Sequence, residues 1–270
     1  MDSNRHARRV VGALLAFLAG AALVSLMSFG PRAEGQGVLE SLRRGVRAQN
    51  VFRQGKALYE ARDYEAARER FTEALGLDPQ HDEAQALLGW SEYFLGEYRA
   101  AIISFKTALR RQPTWEGLHD GLGWSRLRLG RYHLASESFR AALDLNPEYV
   151  EAMIGLGSAQ FELARYEAAL PPLQTAMRRL EPLVGEEPAD LPGVRAKIAW
   201  SLYYLGRYED ALSLFQRALR ARPDWHGLHN GVGWCQLKLG RKVDARAAFQ
   251  RALSLQPGYE DALEGLRRAS

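Results

Sequence analysis

Apolar residues follow three regimes along the chain. From Val10 to Phe29 they run unbroken by any charge. From Glu34 to Asn50 they thin out, and only Leu39, Leu42 and Val46 fall at helical spacing, which predicts at most a short amphipathic helix in a connector. From residue 48 onward one pattern recurs: a small residue, a turn with Gly or a polar residue and then Tyr, then Ala, a large apolar residue, Ala and Pro. The first copy is Gly55, Tyr64, Ala67, Phe71, Ala74 and Pro79; the second is Gly89, Tyr98, Ala101, Phe105, Ala108 and Pro113; the third is Gly123, Tyr132, Ala135, Phe139, Ala142 and Pro147. The three prolines are 34 residues apart, a period that predicts an array of helix–turn–helix units. Gly96, Gly130, Gly206 and Gly240 stand where a helix ends in the left-handed conformation.

The later copies depart from the pattern in informative ways. The fourth has Gly157, Tyr166, Ala169, Leu173 and Ala176, but Glu181 stands where proline is expected, and Pro171 and Pro172 fall near the start of its second helix. Pro147 to Pro223 is 76 residues, two periods plus eight, so a loop is expected around 181–191. The fifth copy has Ala199, Tyr208, Ala211, Phe215, Ala218 and Pro223; the sixth has Gly233, Ala245, Phe249, Ala252 and Pro257, with Lys242 in place of tyrosine. A second repetition has a period of 110 residues. The stretch Trp115–Arg131 returns as Trp225–Arg241, and Trp90 maps to Trp200, Trp115 to Trp225 and Trp124 to Trp234, which accounts for all six tryptophans.

This pattern resembles the tetratricopeptide repeat family over roughly residues 48–259. The resemblance implies an all-α, right-handed solenoid of about six helix pairs. Its units are expected at 48–81, 82–115, 116–149, 150–183, 192–225 and 226–259, with an insert at 184–191 and a capping helix at 260–270 that shields the end of the array. The resemblance also implies that the first helix of each unit lines a concave groove. That face carries Phe52, Lys56 and Tyr59, then Trp90, Tyr93 and Phe94, then Asp120, Trp124, Leu127 and Arg128. It continues with Ile154, Ser158, Phe161 and Glu162, then Trp200, Tyr203 and Tyr204, then Asn230, Trp234, Leu237 and Lys238, with Trp115 and Trp225 at the groove's border. The expected partner-binding residues are Trp90, Tyr93, Phe94, Trp115, Trp124, Arg128, Phe161, Trp200, Tyr203, Tyr204, Trp225, Trp234 and Lys238. An aromatic face of this kind suits a protein segment with apolar side chains or, alternatively, a stacked saccharide. Each good ring contact is worth about 0.5–1.5 kcal/mol beyond area burial. A non-enzymatic scaffold or assembly factor for an envelope complex is the expected function, with a glycan-binding module as the alternative.

Charge and remaining chemistry narrow the picture. Of 36 basic and 32 acidic residues, four basic (Arg5, Arg8, Arg9, Arg32) and one acidic (Asp2) lie in the first 33, which leaves 32 and 31 for the rest. The body is balanced and lacks the basic surplus of a nucleic-acid binder. No phosphate-cradling glycine loop, nucleophile–base pattern or metal motif is legible, so neither enzymatic activity nor a cofactor is expected. The glycines of the Trp115–Arg131 stretch read as sites of tight helix packing. His119 and His229, with His226 three residues from the latter, read as structural, and the lone Cys235 as a small buried residue.

The basic tail 1–9 followed by twenty uncharged residues matches the length of a bilayer-spanning helix. The exit Ser28-Phe29-Gly30-Pro31 lacks a small-x-small cleavage site, which favours an anchor at 10–29 over a cleaved signal. A linker at 30–47 would follow. The basic tail favours a single-pass inner-membrane protein with its N-terminus in the cytoplasm and its array in the periplasm, although Arg32, Arg43, Arg44 and Arg47 weaken that asymmetry. Gly12, Ala16 and Gly20 are spaced for a transmembrane helix–helix contact.

Overall fold

The computed structural model describes residues 32–181 and 188–270. The basic tail 1–9, the anchor 10–29 with its Gly12, Ala16 and Gly20, and most of the insert lie outside them. Among the described residues there are thirteen α-helices and no strand, and no helix is long and apolar enough to cross a membrane. The described residues divide into two compact units, one ending at Ala84 and one beginning at Gln85.

In the smaller unit, helix α1 (Arg32–Glu60) is antiparallel-paired with α2 (Tyr64–Leu77). The connector expected at 30–47 is thus helical from Arg32 and continuous with the first helix of the array. Its Leu39, Leu42 and Val46 remain exposed, because α2 reaches back only far enough to cover the later turns, where Ala48, Val51 and Phe52 are buried. Asp63 caps α2, its side chain accepting from the Ala66 backbone N–H at 3.1 Å. Phe52, expected on the groove face, is instead buried between Phe71 and His81. Lys56 pairs with Glu83 at 2.9 Å.

Helix α3 (Asp82–Phe94) starts at the end of the smaller unit. The larger unit continues with α4 (Tyr98–Leu109), α5 (Glu116–Arg128), α6 (Tyr132–Leu145), α7 (Val150–Glu162), α8 (Tyr166–Leu180), α9 (Leu191–Tyr204), α10 (Tyr208–Ala221), α11 (His226–Lys238), α12 (Lys242–Leu255) and α13 (Glu260–Ala269). From α5 to α13 each helix packs on its sequence neighbour, and α5, α7, α9, α11 and α13 also touch in succession, so these five helices share one face of the unit.

One contact repeats through this unit. Phe105, Phe139, Phe215 and Phe249, from the second helix of each pair, are fully buried. Each ring lies against bare backbone on the next first helix: Phe105 on Gly121, Phe139 on Gly155, Phe215 on Gly231 and Phe249 on Gly265. Within their own pairs, Gly89, Gly123 and Gly233 admit the same rings; a Cβ at Gly123 or Gly233 would lie 2.6 Å from a ring carbon. The glycines thus cost helix propensity, about 1 kcal/mol each against alanine, and are offset by close packing of a large buried ring.

The inter-helix turns behave as the sequence predicts, with Gly96, Gly130, Gly206 and Gly240 at φ between +72° and +80°. Ala164 (φ +55°) and Arg62 (φ +64°) occupy the corresponding turns without glycine. Pro171 and Pro172 sit at the sixth and seventh residues of α8, which remains one helix. Glu181, standing where proline was expected, ends α8 and accepts from Arg195 of α9 at 3.4 Å and from Arg217 of α10 at 2.9 Å. It ties the two sides of the insert together, with Arg195 almost fully buried.

Replacing Gly155 with alanine is expected to lower stability by about 1–3 kcal/mol, against the propensity trend, because the added methyl meets Phe139. Gly45→Ala, whose Cβ would meet nothing within 4 Å, is expected to be neutral or stabilising. Urea unfolding of the two variants checks this; equal effects would contradict the packing account.

Candidate functional site

The helix face shared by α5, α7, α9 and α11 carries a cavity of about 470 Å³. Its walls are Trp124 from α5, Ile154 and Phe161 from α7, Val194 and Trp200 from α9, and Trp225 and Leu228 from α11. Trp124, Phe161, Trp200 and Trp225 were all expected in the groove from sequence. Trp124 is held edge-on against Phe139 at 5.2 Å and Trp200 against Phe215 at 5.1 Å, so the packing rings of the core also set the cavity walls. Trp225, at the N-terminal boundary of α11 in extended conformation, folds its indole over Gly227; a Cβ there would stand 3.2 Å from Nε1.

The rest of the expected set lies around this cavity or apart from it. Tyr204 is half-exposed and stacks on Tyr166 at 4.5 Å and 16°, with Phe161 beside both rings. Trp90, Tyr93 and Phe94 form a second ring cluster on α3, repeating the arrangement of Trp200, Tyr203 and Tyr204 on α9. Tyr93 and Tyr203 are half-buried, and burial raises both phenols, Tyr203 to about 12. Trp115 is exposed. Arg128 is committed to Tyr98: its Nε donates to the phenol oxygen at 3.0 Å while the guanidinium lies over the ring. Lys238 is exposed and does not line this cavity.

Trp234 is a correction. It is 8% exposed and offers no groove surface. Its Nε1 donates to Asp261 at 3.1 Å, and Arg268 of α13 lies over its ring at 5.6 Å. The residue 110 positions earlier than Arg268 is Ser158, too short to cover Trp124. His119 and His229 bond the carbonyl oxygens of Pro113 and Pro223 at 3.1 and 2.8 Å, and His226 packs edge-on against Tyr259. Cys235 is buried, and burial pushes its thiol up to about 12.

Sequence reasoning missed two features. The first is Lys197, which lines the cavity. The signal was in the register: it occupies the position held by Gly121, Gly155, Gly231 and Gly265 on α5, α7, α11 and α13. The second is the charge state of Asp120. It is 2% exposed, accepts from Trp124 and Tyr149, and has one oxygen without a partner. Burial, then the nearby Glu151, pushes its carboxyl up to about 7. The 110-residue copy of this cluster carries Asn230 and Asp261 in place of Asp120 and Glu151, and there the Asn230 amide donates to Asp261 at 2.6 Å. Asparagine is the neutral counterpart of protonated Asp120.

Because the folded-state value of Asp120 lies above its ordinary one, its ionised form is the costly form. The native state is favoured below about pH 4 and loses that advantage as pH rises to about 7, after which the difference is constant. Asp120→Asn is therefore expected to gain stability over the wild type progressively across that window, by a few kcal/mol at pH 8 at about 1.4 kcal/mol per unit. Urea midpoints measured from pH 4 to 8 check this; parallel curves for the two proteins would contradict it.

A family model described as tetratricopeptide repeat matches residues 52–114, 121–182 and 197–260. No curated protein sequence matches the chain. Among solved structures, the chain is similar to one in the Cut9–Hcn1 hetero-tetramer of the APC/C, at 21% identity and a TM-score of 0.69, over 82% of this chain but only 42% of that one. It is similar to pilF of Pseudomonas aeruginosa at 18% identity and a TM-score of 0.67, covering 82% and 97% of the two chains. It is also similar to YrrB, described as a TPR protein with an unusual peptide-binding site, at 20% identity and a TM-score of 0.61, covering 73% and 97%. At these identities the likeness concerns the fold.

Proposed function

This chain belongs to the tetratricopeptide repeat family, whose members generally act as protein-interaction scaffolds, and we propose that it is a non-enzymatic scaffold that holds a polypeptide partner along the aromatic face of its larger unit. The cavity between α5, α7, α9 and α11, walled by Trp124, Phe161, Trp200 and Trp225, carries this reading. Rings fixed by buried neighbours are preorganised, so little side-chain entropy is lost when a ligand docks. The half-exposed Tyr204, beside Phe161 and Trp200, extends the apolar surface beyond the cavity, as a chain-like ligand requires.

The partner belongs, in this proposal, to an envelope complex. The support is the uncharged run 10–29 behind a basic tail, which would anchor the chain in the inner membrane with the array in the periplasm.

Crosslinking and pull-down from native membranes, using the full-length chain with a reporter after Ser270, test both statements. A defined protein is expected to be captured by the wild type and lost by about tenfold or more in Trp124→Ala/Tyr204→Ala, with the reporter active outside the cytoplasm. Undiminished capture by a folded variant would move the interface off this face. A reporter active only in the cytoplasm would overturn the topology. Capture of no protein, with binding of a cell-wall glycan, would favour the glycan alternative.

A further inference from the structure

The junction between the fourth and fifth helix pairs breaks the ring-on-glycine rule on both sides at once. The second helix α8 offers Leu173 where the other pairs of the larger unit offer phenylalanine, and the first helix α9 offers Lys197 where α5, α7, α11 and α13 offer glycine. A shorter side chain on one helix leaves room for a longer one on the next. Lys197 and Gly193, four residues before it, both line the cavity. The insert that lengthens this junction ends at the cavity too, with Asp190 on its rim.

The Lys197 ammonium lies 5.6 Å from the centre of the Phe161 ring, and among the described residues it has no hydrogen bond or ion pair. Burial lowers its pKa, an effect opposed by the negative charge of Glu162 on α7. A cation partly stripped of water and without a hydrogen-bonded carboxylate is a costly arrangement unless a ligand completes it. The neighbouring carboxylates, Glu151 and Asp190, are both exposed at the rim. The site therefore offers one inner positive charge, an apolar wall of indoles and an outer negative edge.

We propose that this cavity is the specificity pocket of the groove: it takes one bulky apolar side chain of a partner peptide together with the carboxylate of an adjacent acidic residue, which pairs with the Lys197 ammonium. This rests on the groove reading above and adds the chemistry of the ligand. The two rim carboxylates disfavour a run of acidic residues, so the matching segment carries a single acid beside its apolar anchor. The ring surface continuing through Phe161, Tyr204 and Tyr166 favours a peptide over a small carboxylate, which would leave those rings unused.

The test uses the full-length protein and phage-displayed random peptides. The strongest binder is then synthesised with its acidic residue and with the corresponding amide. For the wild type, selected peptides are expected to pair a large apolar residue with one Asp or Glu, and the amide analogue to bind about tenfold or more weaker. Lys197→Met is expected to bind both analogues equally. Gly193→Leu, whose side chain enters open space in the cavity, is expected to bind neither. Unfolding midpoints confirm that each variant is folded, and Gly193→Leu still tests the pocket if Lys197→Met is not. Peptides that need Trp124 and Tyr204 but bind equally as acid and amide would overturn this proposal and leave the groove reading standing. A failure to select any peptide over the Trp124→Ala/Tyr204→Ala variant would overturn both.

Discussion

The larger unit depends on one close approach: a buried phenylalanine ring from four of its five second helices against the bare backbone of glycine on the next helix. Dispersion falls steeply with separation, so this contact fixes how far apart successive helix pairs stand. It also fixes which side of each first helix turns away from the core. Trp124 and Trp200 lie on that side, braced edge-on by Phe139 and Phe215. Repetition of the contact gives a rigid backing, and the aromatic face is its consequence.

A departure from that contact creates the candidate site. Leu173 and Lys197 replace the phenylalanine–glycine pair at one junction, and a cavity walled by aromatic rings lies there. Polar groups around it are placed at different depths: Lys197 partly buried and unpaired, Glu151 and Asp190 exposed, and Asp120 fully buried behind Trp124. The 110-residue duplication shows how finely such a site is tuned. Its second copy neutralises the buried acid as Asn230 and covers the equivalent indole, Trp234, with Arg268. Of this pair, Trp124 lines the cavity and Trp234 does not.

The helix pairs were legible because a 34-residue period carries Gly, Tyr, Ala, Phe and Pro in register, each with a local physical role. The aromatic face was legible because the resemblance implies that first helices line one face, which brings Trp124, Phe161 and Trp200 together. Burial was not legible where it depends on a following helix: Trp124 and Trp234 look equivalent in sequence, but Trp234 packs with Ala262 and Ala269 of α13 and lies under Arg268. The connector before residue 48 read as weakly helical because its apolar residues stay exposed, while helix α1 in fact runs from Arg32 to Glu60. Glu181 read only as a missing proline, since its partners Arg195 and Arg217 lie beyond the insert. Lys197 went unnoticed because the glycine it replaces gains meaning only once the ring packed on it is seen.

The most direct measurement restores the regular packing contact at the irregular junction. In Leu173→Phe/Lys197→Gly the ring and the bare backbone return together, and peptide affinity and urea stability are measured on the same protein. The account predicts a variant at least as stable as the wild type that has lost peptide binding about tenfold or more, because the pocket has been exchanged for an ordinary junction. A stable variant that binds as tightly as the wild type would show that the site does not arise from the interrupted packing, and would contradict the account.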